Sequence, residues 1–408
     1  MEAGLGSDAR FRRLRYALIS RLYHQPELLR RVARFLRRKP SFARIARVVA
    51  GRDTVKAVFH RQWSFSTTQA PNMLAGDFVI GMEAGTRQKA DRAFLRRVIG
   101  SPDAFGAASA RVSAELIGRR REAQAGSFDL IDDYMAHVVW APLAEALGAS
   151  AAKEIKPPAE ADKSPNALFH ELRSLGAQLI IGSVASDKDR KAAAQAGASV
   201  NQRVTAAHAA LRHEWAQHCP SCPEATHRNA VGLMWVAHPA TVQAGALCMQ
   251  ELLTSQRKRC ADLAAQAKQL DGQAWTDSDF RASLRGAVLE LLSRRPPFPI
   301  LARFVPRNAS FSVGEGFPPG QAAAGSELIL LVIGALDDPA ASAPAQDDRF
   351  LMFGSGERAC IAKEHVVEIL VSALAGLLLL PNLRWAHRWG RRMEYDGPVI
   401  SRMYLKFG

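Results

Sequence analysis

A mainly α-helical fold with a small β region is the class this sequence predicts. Three observations point there. Long stretches rich in Ala, Leu, Arg, Glu and Gln recur along the 408 residues with apolar positions at helical spacing. Strand-like runs are few and short. There is no internal repeat and no Gly/Ser linker long enough to separate a pair of domains, so residues 1–408 read as one domain.

The elements follow in chain order. Arg12-Arg13, Arg30-Arg31 and Arg37-Arg38-Lys39 are interleaved with Leu14, Leu18, Leu22, Leu28, Leu29 and Phe35, which predicts one or two basic amphipathic helices. Such a helix is a solvated face over a packed apolar stripe, or else a contact for a membrane surface or an acidic protein. Residues 48–50 and 57–59 read as one strand pair, and 301–305 with 311–313 as another; 327–332 and 404–407 are further strand candidates. Helices are expected at about 88–98, 106–120, 128–147, 166–182, 189–217, 228–255, 256–270, 278–293 and 362–377. Gly100 with Pro102 supplies a stop after the first of these, and Gly148 after the third. Pro296-Pro297, Pro299, Pro318-Pro319 and Pro339 punctuate a loop-rich region after residue 293.

Composition narrows the function. Hydrophobic residues at 48% with 23% charged exclude a disordered or collagen-like chain. Five cysteines are too few for a disulfide framework, which suits a reducing compartment. No apolar run reaches bilayer-spanning length, and Met1 to Asp8 lacks the apolar core of a signal peptide, so a soluble, cytoplasmic protein without a transmembrane anchor is expected. The net charge is +15, and residues 1–60 hold 15 Lys+Arg against 4 Asp+Glu. Acidic partners fit that excess. Nucleic acid is not expected, because no nucleic-acid-binding motif accompanies the charge. Cys219-Pro220-Ser221-Cys222, near His213, His218 and His227, has local zinc-like spacing but no second cysteine pair, and reads as a surface loop. Cys248 and Cys260 read as ordinary thiols on helices.

The segment that carries chemistry runs from Phe353 through Gly354, Ser355, Gly356, Glu357, Arg358, Ala359 and Cys360 to Ile361 and Ala362, directly before an apolar helical run. A cysteine on a glycine-flanked loop at a helix start is expected to have a lowered pKa, from backbone N–H groups and the helix dipole. Arg358 could pair with a ligand anion, and Gly354 and Gly356 permit close approach to a flat ligand. That combination suits an axial haem ligand.

Phe353, Gly354, Gly356, Arg358 and Cys360 together resemble the cysteine-ligand loop of the cytochrome P450 family, with Ala362 in place of its last glycine. Other blocks resemble the family in order. The stretch 78–97 resembles the approach to the C helix, with Gln88 and Arg92 at the His and Arg positions that reach a haem propionate. Residues 129–148 resemble the D helix and 287–303 the K helix and following strand, where Arg303 matches the arginine for the other propionate. Residues 325–339 resemble the strand and turn before the ligand loop. Phe59, Trp63, Phe65 and Met73 fall where the family has a substrate-covering loop, as packing or as pocket lining.

Two departures stand out. The family pairs a K-helix Glu with an Arg three residues on; here Glu290 is followed by Ser293, with Arg294 and Arg295 next. Either Arg294 rebuilds the pair or it is lost. In the I helix, where a small residue, an acid and a Thr relay protons, Ala237 and Thr241 match, but His238 replaces a Gly and Ala240 replaces the acid. Pro239 is expected to bend that helix. His238 is then a distal acid/base, an iron ligand in the resting state, an anchor for a substrate carboxylate, or a histidine bonded within the bend.

The resemblance implies a cytochrome P450-like fold binding haem b through Cys360, the metal ligand. Arg92, Arg303 and Arg358 would sit on the propionates with Gln88 beside them, Phe353, Gly354, Gly356 and Ala237 would border the macrocycle, and Thr241 and His238 would act in catalysis. It implies oxidation of a small organic molecule, in secondary metabolism, with electrons from an external ferredoxin or flavoprotein reductase. A peroxygenase or isomerase type, a non-catalytic haem protein and a haem-free interaction module are the alternatives.

Overall fold

The structure is a computed structural model that describes residues 17–18, 20–39, 48–60, 78–79, 82, 85–156, 166–181, 187–218, 223–304, 327–338, 351–387 and 393–408. The predicted class holds: helices dominate, with two small sheets among the described residues.

Helix α1 (Pro26–Arg38) begins on a proline and buries Leu29, Ala33 and Leu36 along one stripe. After it, β1 (Val48–Val49) leads through Gly51 into α2 (Arg52–His60). The expected strand at 57–59 is therefore a helix. Val55, Val58 and Phe59 fall at helical spacing and are all buried, and a helical turn buries them on one side where a strand would split them between two faces. The partner of β1 is β4 (Glu327–Leu331), which it meets in parallel with Val48 opposite Ile329. On the other side of β4 runs β3 (Ile300–Phe304), antiparallel, with Leu301 opposite Leu330. Residues 311–313, the expected partner of β3, lie outside the described residues.

The expected helices appear with shifted ends. They are α3 (Thr86–Ile99), α4 (Pro102–Glu122), α5 (Ala136–Leu147) and, after the short unexpected α6 (Ala149–Ile155), α7 (Ala167–Ile181). The stretch 189–217 divides into α8 (Asp187–Ala206) and α9 (His208–Trp215), followed by α10 (Pro223–Leu253), α11 (Arg257–Leu270) and α12 (Ser278–Arg294). Caps explain two of the starts: Ser101 Oγ accepts the Ala104 N–H at the head of α4, and Asp277 does the same for Phe280 at α12. The start of 128–147 is not α-helical: β2 (Gly126–Asp129) ends there and a π-helical turn (Ile131–Met135) leads into α5. The short α13 (Val332–Leu336) follows β4, and α14 (Lys363–Leu379) is buried from Val367 to its end.

The second sheet is organised on β7 (Val399–Phe407). It pairs antiparallel with β2, placing Phe128 opposite Leu405, and with β5 (Arg384–Trp385); β6 (Met393–Asp396) returns as a hairpin. The largest apolar cluster joins α14, α12, α10, α5 and β7, and α10 runs through it as the longest described helix. None of the described helices is long and apolar enough to cross a membrane.

Candidate functional site

The loop before α14 is built by two glycines in the left-handed region. Gly354 has φ 77° and Gly356 φ 69°, and a Cβ on Gly356 would come within 3.1 Å of His60 Nδ1. Between them Ser355 Oγ lies 2.9 Å from His60 Nε2, tying the loop to α2. The turn closes on itself: Gly354 N–H donates to the Leu351 carbonyl at 3.0 Å, Ala359 N–H to Gly356 at 3.0 Å, and Cys360 N–H to Phe353 at 2.7 Å. Phe353 packs on the main core together with Ile361 and Ala362.

Cys360 presents accessible surface, yet surrounding protein pushes its thiol pKa up. Two groups oppose that rise, a hydrogen bond from the Ala362 backbone N–H and the positive charge of Arg92. This corrects the expectation of a lowered pKa. Cys360 lies ahead of the cap residue Ala362, so α14 offers the sulfur one N–H and burial prevails.

Three arginines gather around this loop. Arg92, half-buried on α3, donates from Nη2 to the Ala359 carbonyl at 2.7 Å. Arg358 donates from Nη2 to the Met82 carbonyl at 2.7 Å. Arg303, on β3, stacks its guanidinium over the Phe59 ring at 5.6 Å. Burial lowers the pKa of Arg303 to about 10 and lowers that of Arg92, and the charge of Arg358 pushes both the same way. Like charges gathered in partly buried surroundings lower one another's pKa.

Gln88 stands one turn before Arg92 on α3. It is 1% exposed, and its amide oxygen and nitrogen are both buried without a hydrogen-bond partner among the described residues. Leaving both ends of a buried amide unsatisfied is costly. α3 itself is held by a group the sequence did not flag. Asp91 accepts from Arg228 Nε and Nη2 at 2.7 Å each and from Asn229 Nδ2 at 3.1 Å, joining α3 to the start of α10. The signal available in sequence was an acid inside a helix otherwise rich in Arg.

On α10, Ala237 and Thr241 are one turn apart on one face. Thr241 is 1% exposed, and Ala237 packs on the same core as Phe353, Ile361 and Ala362. His238 is turned about 100° from Ala237 around the helix. Its ring stacks on Phe169 of α7, centroids 4.8 Å apart, and Nε2 lies 3.0 Å from the Ala136 carbonyl. A carbonyl only accepts, so Nε2 carries the proton and Nδ1 the lone pair, which is buried without a partner among the described residues. Burial lowers the His238 pKa to about 4. The structure thus brings Cys360, Arg92, Arg303 and Arg358 to one neighbourhood, with Gln88 one turn from Arg92 on α3, and sets His238 against α5 and α7 instead. The helix continues through Pro239, whose ring packs where Gly176 of α7 lacks a side chain.

The expected Glu290 partnership is replaced. Glu290 pairs with Arg259 of α11, while Arg294 and Arg295 approach Glu251 of α10 at 3.8 and 3.9 Å. Arg295 also donates to Gln250 Oε1 at 2.7 Å. Residues 219–222, Trp63, Phe65 and Met73 lie outside the described residues; Phe59 is buried. No group of three or more His, Cys, Asp or Glu side chains among the described residues is arranged to hold a metal ion.

No family model and no curated protein matches the chain in sequence. Solved structures do match it in shape. P450BioI in complex with hexadec-9Z-enoic acid-ligated acyl carrier protein is 15% identical with a TM-score of 0.64, covering 88% of this chain and 92% of that one. CYP164A2 of Mycobacterium smegmatis is 18% identical at TM-score 0.65, and CalO2 19% at 0.63, each covering 88% of this chain and 90% of its own. With its long central helix, glycine-built cysteine loop and two small sheets, the chain has the cytochrome P450 fold.

Proposed function

We propose that residues 1–408 form one haem domain, that Cys360 would hold haem b through its sulfur, and that the protein oxidises a small organic molecule. The observation that carries this is the convergence of Arg92, Arg303 and Arg358 around the Cys360 loop, with the unsatisfied Gln88 amide one turn from Arg92. Two carboxylates on a flat cofactor answer that cluster: each arginine offers a fork of N–H donors, and Gln88 offers one more donor. The left-handed turns at Gly354 and Gly356 shape the loop that carries Cys360, and Phe353 and Ala237, which pack on the same core, would border the macrocycle. When bound, the haem supplies redox chemistry at iron, with thiolate donation favouring O–O cleavage.

The chain's residues do the rest. Arg92 and the Ala362 N–H favour the deprotonated sulfur that a metal ligand must be. Thr241 holds a proton on its hydroxyl at the face of α10 shared with Ala237. His238 acts at one remove, fixing α10 against α5 and α7. Electrons come from an external ferredoxin or flavoprotein, and the basic charge suits an acidic donor. The setting we infer is cytoplasmic secondary metabolism.

The test is the absorption spectrum of the reduced protein with carbon monoxide. A thiolate-type Soret band, absent in Cys360→Ala, is expected; a band unchanged by that substitution overturns the assignment. A second reading, oxidation driven by peroxide, is favoured by Ala240 at the acid position of α10. Turnover with hydrogen peroxide and no reductase would establish it.

A further inference from the structure

Leu18, Leu28 and Phe35 are the large apolar side chains that stand exposed among the described residues, at 55%, 37% and 50%. All three fall between positions 18 and 35, in the most basic region of the sequence. On α1, Leu28, Arg31, Phe35 and Arg38 succeed one another at spacings of three and four, which sets them along one line of the helix surface. Leu29, Ala33 and Leu36 occupy the opposite, buried side.

The cations of α1 divide the same way. Toward the protein, Arg30 pairs with Glu27 and Asp337, and Arg37 reaches Asp338 at 3.8 Å and donates to the Gly334 carbonyl at 2.6 Å. Toward solvent, Arg31, Arg34, Arg38 and Lys39 are exposed and form no ion pair with a described acid. The inner pairs and the buried stripe hold the helix on α13 and the first sheet.

We propose that this face of α1 docks the protein on an anionic bilayer surface, with Leu28 and Phe35 dipping below the headgroups and Arg31, Arg34, Arg38 and Lys39 on the lipid phosphates. Charge complementarity selects an anionic occupant. The apolar residues favour lipid over an acidic protein, because Leu28 and Phe35 are exposed on the same line of α1 as Arg31 and Arg38 and add apolar insertion to charge. A bilayer accepts such knobs without matching shape, and adds attraction for every cation near its surface.

The experiment is co-sedimentation of the full chain with vesicles of phosphatidylcholine alone and of phosphatidylcholine mixed with phosphatidylglycerol, at low and high salt. Binding is expected to the mixed vesicles only, and to be released by salt. Arg31→Gln with Arg38→Gln should weaken it roughly 30-fold, and Leu28→Ser with Phe35→Ser roughly tenfold or more. Both pairs are at exposed positions, and circular dichroism should show the wild-type helix content. The salt and lipid dependence of the wild type tests the proposal with no variant at all. Equal binding to neutral vesicles, no vesicle binding, or wild-type binding by both variants overturns it. So does capture by polyaspartate beads without vesicle binding, which would assign the face to an acidic protein.

Discussion

Replacing Asp91 by Ala should be among the most damaging single changes in the half of the molecule that carries Gln88 and Arg92. Asp91 is 4% exposed and Arg228 9%, so water cannot take over when the carboxylate goes. Three hydrogen bonds end on it, two from the Arg228 guanidinium and one from Asn229. Bonds of this charged kind contribute about 1.5–3 kcal/mol each and do not add fully. Breaking a buried pair from one side costs about 3–5 kcal/mol, and that is the expected loss here. Urea unfolding followed by circular dichroism measures it, with an unchanged slope indicating that stability alone moved. Combining Asp91→Leu with Arg228→Met should recover part of the loss, since no unpaired buried charge remains, although the buried Asn229 amide still loses its acceptor. A loss below about 1 kcal/mol for Asp91→Ala would refute the reasoning, because it would mean that the pair is solvated or dispensable.

Other outcomes follow from particular positions. The folded state keeps His238 neutral down to about pH 4, whereas the unfolded chain protonates it near the ordinary histidine value of 6.5. The unfolded form therefore binds more protons between those values, and stability falls as pH drops through that window, by up to about 3 kcal/mol. In His238→Gln that contribution to the pH dependence should vanish, as urea midpoints at pH 7 and pH 5 would show. Gly376→Ala would put a Cβ 2.2 Å from Ser113 Oγ and 2.8 Å from the Tyr134 hydroxyl, two groups bonded to each other at 2.7 Å. A destabilisation of about 1–3 kcal/mol is expected. Gly118→Ala and Gly286→Ala, within α4 and α12 and with open space at the new Cβ, should instead stabilise by about 0.5–1 kcal/mol each.

The helices were legible because their apolar spacing is strong and their ends are marked by Gly100, Gly148 and the prolines. The strands were less so. Residues 57–59 have β-branched and aromatic character, yet their burial pattern belongs to a helix, and β2 and β6 carry too few apolar residues to signal themselves. Parallel pairing of β1 with β4 joins residues far apart in the chain, and no local pattern announces it. In the site, the spacing of Phe353, Gly354, Gly356, Arg358 and Cys360 was readable, since backbone conformation and residue type coincide there. The thiol's pKa was not, because desolvation depends on everything packed around it. Nor was the orientation of His238: its neighbours Phe169 and Ala136 come from two other helices, and only the tertiary arrangement turns the ring toward them.

The exchange of partners at the end of α12 has a consequence for how such a chain can diverge. With Glu251 of α10 attending to both Arg294 and Arg295, Glu290 is left to a surface contact with Arg259 and is free to vary. The same arrangement concentrates risk. One carboxylate, also hydrogen-bonded by Ser255 at 2.6 Å, now serves two cations from another helix. Its neutralisation would loosen both helix ends together, whereas a change at Glu290 would pass almost unnoticed.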